Sequence, residues 1–242
     1  MISKSAIISQ LQKDILLLQG FKTRPGSTNV DIQLGPMKYA FPNASFPVGA
    51  IHEFCCSAKE DAAVTTGFII GILSSLMKSG GASVWISSSG NIFPPALKFY
   101  GINPDQIIFI KLQKDRDILW AMEEALKCDG LAAVVGEINE INFASSRRLQ
   151  LAVEQSRVTG FILHPKVQNI TTTACVSRWR ITSLASLLED DLPGVGFPRW
   201  NVELLKIRNG SIGAWQIEWR QGRFRFFSGK SSLHPIQQKK TG

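Results

Sequence analysis

Histidine and cysteine are scarce, at three and four among 242 residues. Cys55, Cys56, Cys128 and Cys175 form no C-x-x-C pair, so the spacing of a zinc site is missing and so is a disulfide framework. Cys55 and Cys56 are neighbours in an expected strand, which turns them to opposite faces. Buried free thiols are the expectation for all four, and no metal site is expected. Long apolar runs are missing too. The most apolar stretch, Val64 to Met77, is interrupted by Thr, Gly and Ser and reads as too short to span a bilayer. The opening MISKSAIISQLQKDILLLQG has neither a continuous apolar segment nor a small-residue cleavage site, so it does not read as a signal peptide. A cytoplasmic protein without membrane association is expected.

What is present is an ordinary globular composition, 44% hydrophobic and 19% charged. A chain of this length can bury about three quarters of its unfolded surface. The net charge of +8 is lopsided. From Arg199 onward nine Lys/Arg face only Glu203 and Glu218, while the residues before them are close to neutral. Such asymmetry implies an acidic partner or nucleic acid at the C-terminal end.

Residues 5–19 set Ile7, Ile8, Leu11, Ile15 and Leu18 at helical spacing, and a Gly/Pro/Asn-rich connector runs from Gly20 to Pro47. Apolar strands are then predicted at Ala50–Cys56, Ser83–Ser87, Ile107–Leu112, Leu131–Val135 and Phe161–His164. Helical patterns lie between them at Asp61–Lys78, Pro94–Tyr100, Asp115–Lys127 and Ser145–Arg157. In the third of these, Asp115 reads as the N-cap of a face made by Ile118, Leu119, Met122, Ala125 and Leu126. This alternation predicts an α/β fold with a mainly parallel twisted sheet flanked by helices. After Cys175 the pattern changes. VSRWRIT, WNVELLKI, AWQIEWR and RFRFF alternate polar and apolar residues around turns at Asn209-Gly210 and Gln221-Gly222. Antiparallel strands added at the C-terminal end are the reading. The expected division is an N-terminal helix and linker (1–45), a core (46–190) and basic, aromatic-rich strands and tail (191–242).

The stretch HEFCCSAKEDAAV, His52 to Val64, reads as strand, turn and helix, the setting of a phosphate-binding loop. In such loops G-x-x-x-x-G-K-[ST] surrounds phosphate with backbone N–H groups, a lysine and a metal-holding hydroxyl. Laid on that pattern, Cys56 and Asp61 replace the glycines, Ala62 the lysine and Ala63 the hydroxyl residue. Losing two or more hydrogen bonds to a charged group removes about 3–6 kcal/mol, on the order of a hundred- to ten-thousandfold in affinity. Asp61 would also set a negative charge beside a triphosphate. The expectation is a cradle that keeps its shape without its grip, and no bound cofactor.

Together with its entry, FPVGAIHEFCC (Phe46 to Cys56) resembles the start of the RecA core, where L-P-x-G-x-I-x-E-I leads into the phosphate loop. In RecA the second strand ends in a D-A-E-H-A-like segment whose glutamate activates the hydrolytic water. Here VWISSSGN offers Ser89 at that place, so no general base stands there. LAAVVGEI resembles a Walker B strand but ends in Gly136-Glu137, leaving Glu137 as either a metal-holding or a structural carboxylate. The resemblance implies a RecA-like fold without enzymatic activity; a residual ATPase using Glu137 is the competing reading.

Further along, SSRRLQLAVEQSRVTGFILHP, ACVSRWRITSLAS and FPRWNVELLKIRNGSIGAWQIEW resemble, in that order, the ImuA family, RecA-like bacterial factors sometimes called SulA-like. The resemblance covers nearly the whole chain from about Phe46. It implies an accessory factor in damage-induced, SOS-type mutagenesis and error-prone translesion synthesis. The implied partners are ImuB, a Y-family polymerase relative, and by extension RecA and a C-family DNA polymerase. A DNA-binding RecA paralogue in repair and a SulA-type cell-division inhibitor are the alternatives.

The tail interleaves Arg199, Arg208, Arg220, Arg223 and Arg225 with Trp200, Trp215, Trp219, Phe224, Phe226 and Phe227. Three readings stay open: rings covering a sheet with arginines outside, a surface for a protein partner, or weak binding of single-stranded DNA. RecA binds DNA through loops after its fourth and fifth core strands. Here the latter, HPKVQNITTTAC, holds only Lys166 as a cation. The N-terminal helix resembles the segment by which RecA protomers pack together, so a homo-oligomer is a further expectation, beside docking within the chain. Arg147 and Arg148 read as an exposed helix face.

Overall fold

The computed structural model describes residues 32–90, 92–167, 171–186, 196–227 and 232–234; the helix predicted over residues 5–19 lies outside them. Five short, β-branched runs form β1 (Ile51–Cys55), β2 (Ala82–Ser87), β3 (Ile107–Lys111), β4 (Leu131–Glu137) and β5 (Thr159–His164). The alternating C-terminal segments form β6 (Ser177–Leu184), β7 (Arg199–Ile207), β8 (Ile212–Arg220), β9 (Arg223–Phe226) and β10 (Ser232–His234). Among the described residues they make one sheet in the order β10-β8-β7-β6-β1-β5-β4-β2-β3, with β9 also on β8. Pairing is parallel from β6 through β1, β5, β4 and β2 to β3. It is antiparallel from β6 outward. The hairpins turn at the predicted dipeptides, where Asn209 and Gln221 take left-handed backbone angles.

Helices cover both faces. α1 (Lys59–Leu76) lies on one side, and α2 (Asp115–Leu126) and α3 (Phe143–Ser156) lie on the other. The second side buries Ile51, Ile86 and Ile162 of the strands against Met122 and Leu126 of α2 and Leu149 and Val153 of α3. The first side is aromatic: Phe54 stacks on Trp179, and Phe68 of α1 meets Trp179, Trp200 and Phe224. Two glycines in the middle of α1 permit that packing. A Cβ at Gly67 would stand 2.7 Å from the Tyr100 hydroxyl, and one at Gly71 would stand 2.7 Å from the Phe224 ring.

Several expectations need correction. Pro94–Tyr100 is a 3-10 helix rather than an α-helix, opened by consecutive prolines and closed by Gly101 at φ 76°. Asp115 is the first residue of α2 rather than its cap. Its carboxylate instead accepts hydrogen bonds from the Asn139 and Glu140 amides, tying α2 to the loop after β4. Asn142 caps α3 through the Ser145 amide at 2.8 Å, which starts that helix two residues earlier than predicted. Glu60–Ser79 is long and apolar enough to cross a membrane by length and composition, against the expectation from its interruptions. Most of it is buried within the fold, as in the core helix of a packed domain. The segment from Ile32 to Phe46 also buries Met37, Ala40 and Phe41 in the core. Cys128 is exposed, whereas Cys55, Cys56 and Cys175 are buried.

Candidate functional site

In a parallel sheet flanked by helices, ligands bind beyond the carboxyl ends of the strands. Here that edge is formed by Cys55, Ser87, Glu137 and His164, the last residues of β1, β2, β4 and β5. Only Cys56, Ser57 and Ala58 separate β1 from α1, so Lys59 to Ala63 are already helical. The helix therefore starts two residues before Asp61, the position of the second phosphate-loop glycine. The reason is Asp61. From the first turn of α1 its carboxylate accepts the Ser57 amide at 3.2 Å and the Ala58 amide at 3.0 Å. Ala58, the N-cap, has no side-chain acceptor of its own, and a carboxylate suits the positive end of a helix. Two of the amides at this helix terminus are thereby engaged by a side chain of the same chain.

Across the edge, the Ser89 hydroxyl donates to Glu137 Oε2 at 2.9 Å. The two positions read as those of a general base and a metal-holding acid are thus brought together as a hydrogen-bonded pair. Among the described residues no group of three His, Cys, Asp or Glu could hold a metal. The Cys56 thiol lies within the field of both carboxylates. Burial first, then the Asp61 and Glu137 carboxylates, push it up to about 11, opposed by the hydrogen bond between the thiol and the Thr65 hydroxyl oxygen at 3.5 Å. Ala62, Ala63, Ser89 and Glu137 border a cavity of about 310 Å³ walled by Trp85, Phe93, Leu97 and Tyr100. Its charge is negative where a triphosphate needs positive. A nucleotide triphosphate with its metal does not fit this arrangement.

A second polar group lies one strand away. Glu53 on β1 is 3% exposed and meets His164 Nε2 at 3.2 Å and Arg178 Nε at 2.8 Å. Thr173 donates to the same carboxylate at 2.9 Å, and His164 Nδ1 donates to the Ile138 carbonyl at 2.6 Å. Burial pushes the Glu53 carboxyl up, but the hydrogen bonds from His164 and Arg178 outweigh it and hold the group below its ordinary range. On the opposite face, His52 Nε2 donates to the Pro47 carbonyl at 2.8 Å, so Nδ1 accepts from Ser177 at 2.6 Å. Burial lowers this imidazole to about 4, which keeps it neutral. Neither group stands out as functional in the sequence; the E of the RecA-like entry segment and the first R of R-W-R-I are the available signals.

No family model matches the chain. Protein ImuA of Caulobacter vibrioides strain NA1000 / CB15N is 32% identical over 190 residues, covering 74% of this chain and 78% of its own length. The chain belongs to the ImuA family. The same figures hold for Protein ImuA of strain ATCC 19089 / CIP 103742 / CB 15 of that species. The RadB recombinase structure matches with a TM-score of 0.53 and 13% identity, over 86% of this chain and all of its own. That likeness shows the fold, a RecA-like α/β sheet, in this ImuA chain.

The C-terminal strands of this ImuA protein separate rings from cations. Trp200, Trp219 and Phe224 are buried against α1 and Trp215 is buried on the same face of β8, so these rings are not part of a docking or base-stacking surface. Alternation along each strand is the cause, since one face must be covered. The other face carries Arg180, Arg199 and Arg220 beside Glu203 and Glu218. Arg180 pairs with Glu203 at 3.4 Å and Arg199 with Glu218 at 4.0 Å. Arg199 also stacks at 3.6 Å on Phe227, and Arg220 lies 4.7 Å from the Phe197 ring. Arg208 is structural, donating to the Ala174 carbonyl at 3.2 Å. Arg223 is exposed at the hairpin tip, and Arg225 donates to Gln221. On the helical side, Arg147 and Arg148 are exposed as expected, and Arg148 pairs with Glu123, joining α3 to α2.

Proposed function

We propose that this ImuA protein is a non-catalytic adaptor in damage-induced mutagenesis that binds an ImuB-type polymerase relative. The observation that carries this reading is Asp61 on the Ser57 and Ala58 amides: the element a RecA-like ATPase uses for phosphate is committed to capping a helix. With Glu137 alongside, the site repels a triphosphate, so the fold acts as a scaffold. Docking takes place on the outer face of β6 to β9, where Arg180, Arg220, Arg223 and Arg225 outnumber Glu203 and Glu218. Such a face fits an acidic surface, and arginine is favoured at interface centres.

Capture of an ImuB-type partner tests the proposal, with charge reversal at two accessible positions, Arg180→Glu and Arg223→Glu. A loss of capture by tenfold or more is expected; Arg180→Glu also breaks the pair with Glu203, so Arg223→Glu alone, at the exposed hairpin tip, should lower capture with unchanged thermal unfolding. Unchanged capture by the double variant would remove this face as the docking surface. The second reading, direct DNA binding, now rests on the arginines alone because the tail tryptophans are buried. It requires salt-sensitive binding of single-stranded DNA, with affinity falling steeply as salt rises.

A further inference from the structure

The cavity beside Glu137 has a chemistry of its own. Its walls are Trp85, Leu97 and Tyr100 within the fold and Phe93 at the rim, which is 69% exposed. Its charged lining group is the Glu137 carboxylate, beside the hydroxyl residues Thr66, Ser87 and Ser89; it accepts from Ser89 and has no cationic partner among the described side chains. Asp61 holds a second negative charge on the adjoining turn of α1, and both carboxylates act on the Cys56 thiol. A volume of about 310 Å³ is at the small end of ligand pockets, the scale of one long side chain rather than of a nucleotide.

We propose that this cavity receives an arginine side chain of a partner protein. The aliphatic stem would lie against Leu97 and Tyr100. The guanidinium would meet the free acceptor capacity of Glu137, and its flat face would stack on Phe93. Guanidinium suits this combination better than ammonium, because it is planar, weakly hydrated and pairs with carboxylate through two parallel bonds. An anion is opposed by the Glu137 carboxylate in the lining. The proposal rests on the adaptor reading for the source of the arginine; the cavity's preference for a cation stands on the geometry alone.

The probe is n-butylguanidinium, titrated into the isotope-labelled protein while the amide signals of Ser89, Gly136 and Glu137 are followed. Saturable shifts at millimolar probe are expected, weakened at least tenfold in Glu137→Gln and in Ala96→Phe, which narrows the exposed wall. Butyrate should give no shifts. Absence of saturable shifts, or equal binding to Glu137→Gln, would overturn the proposal. Tighter binding of 1,4-diaminobutane than of the guanidinium would overturn it in favour of a free polyamine. Mg-ATP is run in the same assay: its binding would sink the adaptor reading, whereas failure of the guanidinium alone would leave that reading intact.

Discussion

The Asp61 carboxylate lies 3.0 Å from the Ala58 amide nitrogen, at the helix terminus where a phosphate loop presents its donors. One side chain therefore closes the loop, caps α1 and sets the sign of the local charge. Replacing Asp61 by alanine leaves the Ser57 and Ala58 amides without that acceptor. A loss of about 1 kcal/mol is expected in urea unfolding, the usual size for a removed cap. Nucleotide binding should not appear, because the lysine and hydroxyl positions remain Ala62 and Ala63.

The tail tryptophans are core residues. Trp219→Ala should cost about 3–5 kcal/mol, as for a large ring removed from a packed interior. Arg223→Ala, at an exposed turn, should change stability by less than about 0.5 kcal/mol. Chemical denaturation of both variants checks the contrast; equal effects would contradict the assignment of faces.

Acid should weaken the fold through His52. Its pKa is about 4 in the fold and near 6.5 when unfolded, so the unfolded chain binds the proton first. The contribution is fully present above about pH 6.5 and is lost as pH falls toward 4, by up to about 3 kcal/mol. Unfolding free energies measured between pH 7.5 and 4.5 should show this slope, and His52→Gln should flatten it. Glu53, held below its ordinary range, adds a further loss at lower pH.

The Glu53–Arg178 pair predicts asymmetry. Glu53→Gln should cost about 3–5 kcal/mol because it leaves Arg178 buried without its charge partner. The double change Glu53→Leu with Arg178→Met should recover much of that loss. Thermal unfolding of the three proteins distinguishes the two cases.

Much of the fold was legible because periodicity carries burial. The first nine strands, the three long helices and both hairpin dipeptides emerge from apolar spacing and turn chemistry alone, whereas β10 does not. The degenerate loop positions were legible as missing residue types, but not what fills their place. That Asp61 turns back onto Ser57 and Ala58 depends on the helix starting at Lys59, a matter of one turn that propensity does not decide. The tail's composition named its arginines and tryptophans together, and only strand pairing separates them into two faces. Trp120, by contrast, is exposed on α2. Glu53, His164 and Arg178 come from β1, β5 and β6, so their meeting depends on strand order, which spacing along the chain does not reveal.

The central claim is that the strand-to-helix loop turns its own Asp61 carboxylate onto the Ser57 and Ala58 amides and no longer holds a triphosphate. Titration calorimetry of the intact protein with Mg-ATP tests it most directly. The account predicts no binding heat at millimolar nucleotide; saturable micromolar binding, lost on mutating Glu137 or the α1 terminus, would contradict it.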